Sequence, residues 1–382
     1  MKVKVLKLEN EQYGTQWEDE ILDHWDYDDF KNNQAWNKGW TSVDCGYYNA
    51  GDDRVYLGIT SFANDIFKAY DRKSGEFLDL GYDKVADKYD AKFHRSLVKG
   101  NDGCLYAAIA LLHCSDRYME APGSPIVKYD PVSGTITKMG IPIPHAYIQA
   151  IAIDNDRDML YGQCLAPEFI FSFNLKTGES KILGLLGSGY GGMAQAENIC
   201  VDDKGSVWFA WSLTRAWQSL PGIDANRLCK YDPEQDKMIF YKTGLPFPDG
   251  RHGFERAEAF FNFHDGFMYA SGGSGSFYRI NPETGEATYL YTPVEDRPSR
   301  LSSLVKAKDG VAYGITGRDG NCQLLKVNYK DDTFEILDEI KDDDTGEPLW
   351  QCHDIIITDD NVLYVGENDN PYRSGHLWEI TL

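Results

Sequence analysis

The sequence predicts an all-β protein built from seven similar antiparallel units, and a recurring turn is the first observation that predicts it. An apolar or aromatic residue followed by Asp or Asn recurs along the chain, in most copies with a glycine four residues after the Asp or Asn. These Asp or Asn markers lie at positions 71, 130, 174, 232, 281 and 328, so the spacing runs from 44 residues (130 to 174) to 59 residues (71 to 130). Repeats of this length are typical of four-stranded β-propeller blades.

A second recurring phrase lies upstream of each turn. It consists of an apolar run, an Asp-Gly or Asp-Asn type of turn and a second apolar run with an aromatic residue, which together indicate a β-hairpin. Gly and Asn tolerate the positive φ of such tight turns. Seven hairpins are counted from their aromatic residues, Tyr56, Tyr106, Tyr161, Trp208, Tyr269, Tyr313 and Tyr364. Each unit is therefore predicted to hold four strands, A to D.

The two ends of the chain are predicted to meet in one sheet. The last unit stops after its third strand at Leu382, whereas residues 1–10 begin with the alternating apolar and basic residues of a strand. We expect this N-terminal strand to supply the missing outer strand, because closure removes a free sheet edge. Residues 11–41 are expected to form an irregular or short helical segment, and residues 42–382 the seven blades of a single domain.

Composition excludes two classes of partner. A formal net charge of −22 argues against nucleic acid, whose phosphates require Lys and Arg patches, and no apolar stretch is long enough to span a membrane. The eight cysteines are scattered through strand patterns, and residues 1–10 do not resemble a signal peptide. We therefore expect reduced thiols and a cytoplasmic location, or secretion if a leader has been removed.

Polar residues at the predicted starts of the innermost strands are the candidate functional residues. In a propeller, these A strands surround a central channel, and the loops at their beginnings lie on one face. Alignment on the aromatic residues selects Asp44, His94, Gln149, Glu197, Glu258, Arg300 or Leu301, and Cys352 or His353. The alternative for each position is a water-solvated channel lining without a role in chemistry.

Two histidines form the sharpest local cluster. His94 lies in the predicted A strand of the second unit, and His113 follows its B strand, nineteen residues later. Because an antiparallel hairpin brings together residues placed symmetrically about its turn, we expect the two rings to lie close together. Two imidazoles can serve as base and acid, since histidine titrates near neutral pH.

Residues 92–184 resemble the seven-bladed polysaccharide lyases that cleave ulvan and related uronate polymers. The resemblance rests on Phe93-His94-Arg95-Ser96-Leu97, on the Asp-Gly hairpin that follows, on His113 and on the run from Ile126 to Gly134. It implies β-elimination by a histidine pair and a tyrosine, with an arginine neutralising the uronate carboxylate. The histidines correspond to His94 and His113. Tyr190 is the candidate tyrosine, with Tyr161 as a core-forming alternative, and Arg215 is the candidate arginine.

Further residues are expected to bind substrate or a metal. The candidates for substrate binding are Arg95, Gln149, Glu197, Arg256 and Arg300. Cys352 and His353, with His252 converging on them, could hold a structural divalent metal, Zn or Ca. Such an ion is also what the resemblance implies.

The resemblance, together with the two histidines, implies a carbohydrate-active lyase that acts on uronate-containing glycans. Two alternatives stay open: a non-catalytic binding or scaffold module, and a glycoside hydrolase that uses Glu197 and Glu258 as its two acids. Because the protein is acidic, a polyanionic substrate requires arginines concentrated on the site face. The arginines available for this are Arg95, Arg117, Arg215, Arg251, Arg256, Arg300 and Arg318.

Overall fold

A computed structural model describes residues 1–8, 27–33, 41–62, 65–165, 167–187, 196–212, 226–295 and 299–382. The chain divides into two compact units. The first unit comprises Met1–Tyr147, Asp319–Cys322 and Asp338–Leu382, and the second comprises Ile148–Arg318 and Gln323–Leu337. Within the described ranges, no helix is long and apolar enough to cross a membrane.

Strands dominate the described residues, and their bounds follow in chain order. The first ten are β1 (Lys2–Leu6), β2 (Ser42–Asn49), β3 (Arg54–Thr60), β4 (Phe67–Asp71), β5 (Glu76–Asp79), β6 (Asp90–Phe93), β7 (Val98–Lys99), β8 (Leu105–Leu111), β9 (Ile126–Asp130) and β10 (Thr135–Gly140). The next ten are β11 (Tyr147–Asp154), β12 (Met159–Leu165), β13 (Phe169–Asn174), β14 (Ser180–Leu185), β15 (Cys200–Val201), β16 (Val207–Trp211), β17 (Arg227–Asp232), β18 (Lys237–Phe240), β19 (Leu245–Pro246) and β20 (Phe254–Glu255).

The remaining strands are β21 (Ala257–Asn262), β22 (Met268–Gly272), β23 (Phe277–Ile280), β24 (Ala287–Tyr291), β25 (Leu304–Lys306), β26 (Ala312–Thr316), β27 (Gln323–Asn328), β28 (Thr333–Glu339), β29 (Cys352–Ile357), β30 (Val362–Glu367) and β31 (Leu377–Thr381). Helical structure is sparse. A short α-helix, α1, spans Tyr27–Asn32, and two 3-10 turns span Tyr82–Lys84 and Ser115–Arg117. The prediction of an all-β chain is confirmed.

Antiparallel four-stranded sheets recur in both units, as predicted. The second unit holds four of them, β11 to β14, β15 to β18, β21 to β24 and β25 to β28, each in sequence order. In the first unit, β2 to β5 and β7 to β10 are two such meanders, which β6 joins into one nine-stranded sheet by pairing with both β3 and β8. Strand β6 is thus an inner strand with partners on both edges.

The recurring Asp or Asn proves to be a turn-forming residue. The carboxylate of Asp130 accepts a hydrogen bond from the backbone N–H of Val132 (2.9 Å), and Asp71 and Asn174 make the equivalent contact. The glycine four residues after Asp130, Gly134, has a left-handed backbone (φ 69°) and donates its N–H to the Asp130 carbonyl oxygen. The repeat therefore marks a chain reversal that needs both a short acceptor side chain and a positive φ.

The aromatic residues of the B strands are buried in the core, and several of them have a hydrogen-bond partner at their polar end. The hydroxyl of Tyr106 donates to Asp102 (2.8 Å), and the indole N–H of Trp208 donates to Asp202 (2.9 Å). In both cases the acceptor lies in the turn that precedes the strand. A buried aromatic ring with its polar end satisfied stabilises the hairpin without leaving an unpaired donor.

The N-terminal strand pairs with the C-terminal strand of the last sheet. Strand β1 lies antiparallel to β31, from Lys2 opposite Thr381 to Leu6 opposite Leu377, in the order β1-β31-β30-β29. On its other edge, the N–H groups of Val3 and Val5 donate to the carboxylates of Asp343 (3.0 Å) and Asp342 (3.1 Å). These side chains occupy edge donors that would otherwise be open to a further strand.

Alanine at Gly134 and alanine at Gly285 should destabilise the protein to different degrees. Both glycines have a left-handed backbone (φ 69° and 70°), in which an L side chain costs about 1–2 kcal/mol. A Cβ at Gly134 would meet nothing within 4 Å, whereas a Cβ at Gly285 would lie 2.4 Å from the Tyr241 ring. We expect a larger loss in the free energy of unfolding for Gly285→Ala, measured by urea denaturation.

Gly273→Ala is the matched control for this pair. Gly273 has no left-handed backbone, and a Cβ there would lie 3.8 Å from its nearest neighbour. Its unfolding midpoint should stay close to that of the wild-type protein. Equal losses for the two turn variants would contradict the steric argument.

Candidate functional site

His94 is positioned by the strand that joins the two meanders of the first unit. The residue before it, Phe93, is fully buried at the end of β6 and stacks on Phe67 with ring centroids 5.0 Å apart. Gly58 allows this approach, because a Cβ there would lie 2.3 Å from the Phe93 side chain. Burying a phenylalanine contributes roughly 1.5–3 kcal/mol. The backbone that carries His94 is therefore fixed by the core.

The ring of His94 meets the ring of His353. Their centroids are 4.9 Å apart at an interplanar angle of 73°, and the ring nitrogens that could ligate an ion lie within 4.8 Å of each other. The ring of Tyr147 also lies edge-on to His94, with the ring centroids 6.1 Å apart. Both histidines are buried, with 6% and 2% of their surface exposed. All three residues belong to the first unit.

A buried carboxylate supports this imidazole pair. Asp44 has no exposed surface, and its Oδ1 lies 3.4 Å from Nδ1 of His353 and 3.1 Å from Nζ of Lys92. Its Oδ2 accepts a hydrogen bond from the Thr60 hydroxyl (2.6 Å). The Asp44 carboxylate of β2 is therefore contacted by side chains from three further strands, β3, β6 and β29.

The charges around Asp44 keep it ionised. Burial by itself raises the pKa of the Asp44 carboxyl, but the Lys92 ammonium and the neighbouring His353 and His94 outweigh burial and hold the pKa below its ordinary value. Burial likewise lowers the pKa of Lys92, and the attraction of Asp44 reverses this and raises it. A lysine with a raised pKa carries its proton at neutral pH, so Lys92 contributes a fixed positive charge rather than a base.

Backbone bulges aim two of these side chains. In β2, Val43 pairs with Ile59 and Cys45 pairs with Gly58, so Asp44 is the extra residue between them. In β29, Cys352 pairs with Glu367 and Asp354 pairs with Gly366, so His353 is likewise the extra residue of a bulge. Bulges break the alternation of a strand and redirect one side chain. They explain how a polar residue can stand within a buried apolar strand.

Arg95 does not face solvent. Only 2% of its side chain is exposed, and its Nη1 lies 3.3 Å from Oδ1 of Asp354. Asp354 also accepts a hydrogen bond from the N–H of Gly46 (3.0 Å). Direct contact of Arg95 with a glycan, expected from the sequence, is not available in this conformation. Its guanidinium instead forms an ion pair with Asp354 of β29.

The structure does not bring His113 beside His94. Strand β6 pairs with β8 so that Phe93 lies opposite Ile109 and Asp90 lies opposite Leu111. His113 therefore lies past the Asp90 end of β6, where its ring meets Tyr89 at 5.4 Å. At about 3.3 Å per residue, the offset along the strand is on the order of 15 Å. The expected pairing of the two histidines across the hairpin is wrong.

The three residues predicted to bind a metal, Cys352, His353 and His252, have different surroundings. Cys352 is buried in β29, and its thiol contacts the carbonyl oxygen of Asp354 (3.5 Å). His252 is exposed in a loop of the second unit. His353 is the member of this set that meets a second imidazole. Tyr190 and Arg215, the candidate tyrosine and arginine, lie outside the described residues.

A second polar cluster lies in the second unit and joins the five residues Gln149, Glu197, Arg256, Glu258 and Arg300. Nε of Arg300 donates to Glu258 (2.6 Å), and Nη2 of Arg256 lies 3.4 Å from Glu197. Gln149 donates to Glu197 (2.8 Å). Glu258 is again a bulge residue, between the paired residues Ala257 and Ala259. The sequence analysis predicted four of these five residues to bind substrate and the fifth, Glu258, to line the central channel.

The sequence analysis missed two residues, Lys92 and Tyr147, of the first-unit cluster that also contains Asp44, His94 and His353. Tyr147 begins β11, and Lys92 lies at the crossing point of β6, opposite both Thr60 and Ala110. The available signal for Lys92 was a charged residue between the apolar residues Ala91 and Phe93. Nothing local indicated Tyr147, because its role depends on a neighbour 53 residues away along the chain (147 minus 94).

The fold resembles β-propeller-like solved structures. One is the extracellular domain of a hybrid two-component system from B. thetaiotaomicron, with a TM-score of 0.60 and 12% identity over 88% of this chain and 38% of that chain. The chain thus spans about two fifths of that structure. A second solved structure of this same extracellular domain gives the same TM-score. These likenesses lend no support to the cytoplasmic location expected from the sequence.

Two fold neighbours of similar length are lyases. A catalytically inactive virginiamycin B lyase from Staphylococcus aureus with quinupristin has a TM-score of 0.59 and 11% identity over 90% of this chain and 95% of that chain. An oligogalacturonate lyase in complex with manganese has a TM-score of 0.58 and 14% identity over 90% of both chains. At these identities, the likeness establishes the fold alone.

No protein-family model matches the sequence, and no curated protein matches it. The resemblance to ulvan lyases therefore has no support from sequence comparison.

Asp44→Asn should destabilise the protein by about 3 kcal/mol or more, because it leaves the Lys92 charge buried without its carboxylate. The free energy of unfolding, from chemical denaturation followed by tryptophan fluorescence, checks this. The double variant Asp44→Asn/Lys92→Met removes both charges and should recover part of the loss. If the double variant is as unstable as the sum of its two single changes, the two groups are not coupled and this account of the cluster fails.

Proposed function

We propose that the protein is a carbohydrate-active lyase that cleaves uronate-containing oligosaccharides or polysaccharides by β-elimination. The observation that carries the proposal is the buried pair His94 and His353, with Tyr147 edge-on to it and Asp44 beneath it. The two lyases among the fold neighbours, one of them named for oligogalacturonate, add weaker support. The seven-bladed ring predicted from the sequence stays part of this proposal.

β-Elimination from a uronate requires three groups. A base must reach the C5 proton, a positive charge must stabilise the negative charge that develops on the carboxylate, and an acid must protonate the departing glycosidic oxygen. The first unit offers a phenol, two imidazoles and an ammonium group within one cluster. These residue types can supply all three functions.

The two histidines fit a divalent cation. Their ligand nitrogens approach each other closely, both rings are buried, and the Asp44 carboxylate beside Nδ1 of His353 is the outer partner that orients metal-binding imidazoles. Imidazole ligands favour Zn²⁺ over Ca²⁺, which takes oxygen ligands. Mn²⁺ is the second candidate ion, because one of the fold neighbours is a complex with manganese. When bound, such an ion would neutralise the substrate carboxylate.

The chain's own groups would act around this centre. Tyr147 is the group best placed to exchange a proton with substrate, because its phenol lies beside His94 and near the positive charge of Lys92. Lys92 would hold Asp44 ionised, and Asp44 would hold the orientation of His353. In the second unit, Arg256 and Arg300 are the proposed residues for binding a uronate carboxylate, with Gln149 and Glu197 holding their positions.

The burial of the histidines favours a second candidate, a non-catalytic binding module. With 6% and 2% of their surface exposed, His94 and His353 offer little area to a polymer. A glycoside hydrolase is less favoured, because it needs two carboxyl groups that act directly on the glycosidic bond. Glu197 and Glu258 are instead both held in ion pairs with arginines.

The lyase proposal predicts activity that depends on His94 and His353. On a panel of uronate oligosaccharides, product is measured by the absorbance of the unsaturated uronate. His94→Ala and His353→Ala should lower kcat by about 10²-fold or more. Tyr147→Phe should lower kcat while leaving KM nearly unchanged, because only the proton-transferring hydroxyl is lost.

His113→Ala is the control, since its ring lies at the other end of β6. It should keep wild-type activity. Absence of product from every uronate in the panel would favour the binding module, and full activity of both histidine variants would remove their proposed roles.

The cation proposal predicts metal-dependent stability. Protein stripped with a chelator should melt at a lower temperature, and Zn²⁺ or Mn²⁺ at 100 times Kd should add about 2.7 kcal/mol of stability. His353→Ala should lose this response, whereas His264→Ala, an exposed histidine paired with Asp203, should keep it. An identical rise in Tm for wild type and His353→Ala, measured by differential scanning fluorimetry, would exclude a site at His353.

A further inference from the structure

A separate cavity of about 600 Å³ lies in the second unit. Its described lining includes Phe247, Arg251, Glu255, Ser274, Tyr289 and Ser299. The volume falls within the roughly 300–1,000 Å³ of typical small-molecule sites. None of the residues that line it belongs to the two clusters described above. It therefore requires its own explanation.

The polar wall of this cavity is preorganised around a buried carboxylate. Glu255 is 6% exposed, and its Oε2 accepts hydrogen bonds from the Ser274 hydroxyl (2.9 Å) and N–H (3.2 Å). Its Oε1 accepts from the hydroxyls of Ser276 and Tyr278. A hydroxyl that donates to a carboxylate is polarised and becomes a stronger acceptor. Ser274 thus presents a fixed acceptor to a ligand hydroxyl.

A second hydroxyl in the lining, that of Ser299, is also held in place. Ser299 is 6% exposed, shares a hydrogen bond with Thr316 (2.8 Å) and accepts one from the N–H of Gly317 (3.2 Å). Gly275 makes room for it, since a Cβ there would lie 2.8 Å from the Ser299 oxygen. Two serine oxygens in fixed positions are suited to a ligand with several hydroxyls.

Aromatic and guanidinium groups form the remaining wall. The Arg251 guanidinium lies 3.7 Å from the centroid of the Phe247 ring, and its side chain is 60% exposed. The Tyr289 hydroxyl pairs with Thr292 (3.1 Å) while its ring lines the cavity. A stacked guanidinium keeps its N–H donors in one plane, which suits adjacent hydroxyls of one ring.

The charges of the cavity argue against a polyanion. Two arginines, Arg251 and Arg318, line it together with three acids, Asp249, Glu255 and Glu295, so the formal charges sum to −1 (two positive, three negative). We propose that this cavity binds a neutral saccharide unit, with its ring against Phe247 and Tyr289 and its hydroxyls on Arg251 and the two serines. The site is independent of the lyase proposal, whose substrate is acidic.

Titration calorimetry with neutral trisaccharides tests this site. The probes are cellotriose, xylotriose, maltotriose and β-1,4-galactotriose, with trigalacturonate as the acidic comparison. Gly273→Phe fills the cavity without backbone strain, because Gly273 lines it, has no left-handed φ and has no neighbour within 3.4 Å of the position that a Cβ would take. It should abolish binding, and Arg251→Ala should weaken binding about tenfold through loss of charged hydrogen bonds.

Arg227→Ala is the matched control. Its guanidinium also lies over an aromatic ring, Trp211 at 5.6 Å, but it does not line the cavity, so binding should be unchanged. Thermal melting checks that each variant is folded. Failure of all four neutral probes to bind overturns the proposal, as does binding that folded Gly273→Phe retains or binding of trigalacturonate alone. None of these results bears on the lyase assay.

Discussion

The Asp44 carboxylate has no contact with water and lies at the meeting point of four strands of the first unit. A charge in that position is tolerated only because Lys92 neutralises it and Thr60 satisfies one oxygen. The same carboxylate contacts His353, so the orientation of the imidazole pair depends on it. The stability of these four strands and the geometry of the candidate site therefore both depend on the ion pair between Asp44 and Lys92.

Bulges in strands β2, β29 and β21 place three of the polar groups of this fold. Asp44 and His353 in the first unit, and Glu258 in the second, each stand as the extra residue of a bulge. The rest of each strand keeps its apolar pairing, so the core is preserved while one side chain is redirected. In the second unit the result is a balanced set of two arginines and two glutamates.

Local patterns predicted the units but not their contacts. The Asp130 turn and the Tyr106 hairpin are encoded within a few residues, and both were identified from spacing. The partner of His94 was not, because His353 is 259 residues away (353 minus 94), and a bulge alters which residue faces inward. The predicted pairing of His94 with His113 is wrong because the strand register was inferred from symmetry about a turn. The register in the structure places Phe93 opposite Ile109.

We propose that His94 and His353 together hold one divalent cation. The decisive measurement is anomalous diffraction at the zinc edge, from crystals of the wild-type protein grown with Zn²⁺. We expect a single strong peak about 2.0–2.1 Å from one nitrogen of each ring. A well-ordered crystal in which zinc is bound elsewhere, or in which the two rings face each other with no peak between them, would contradict it.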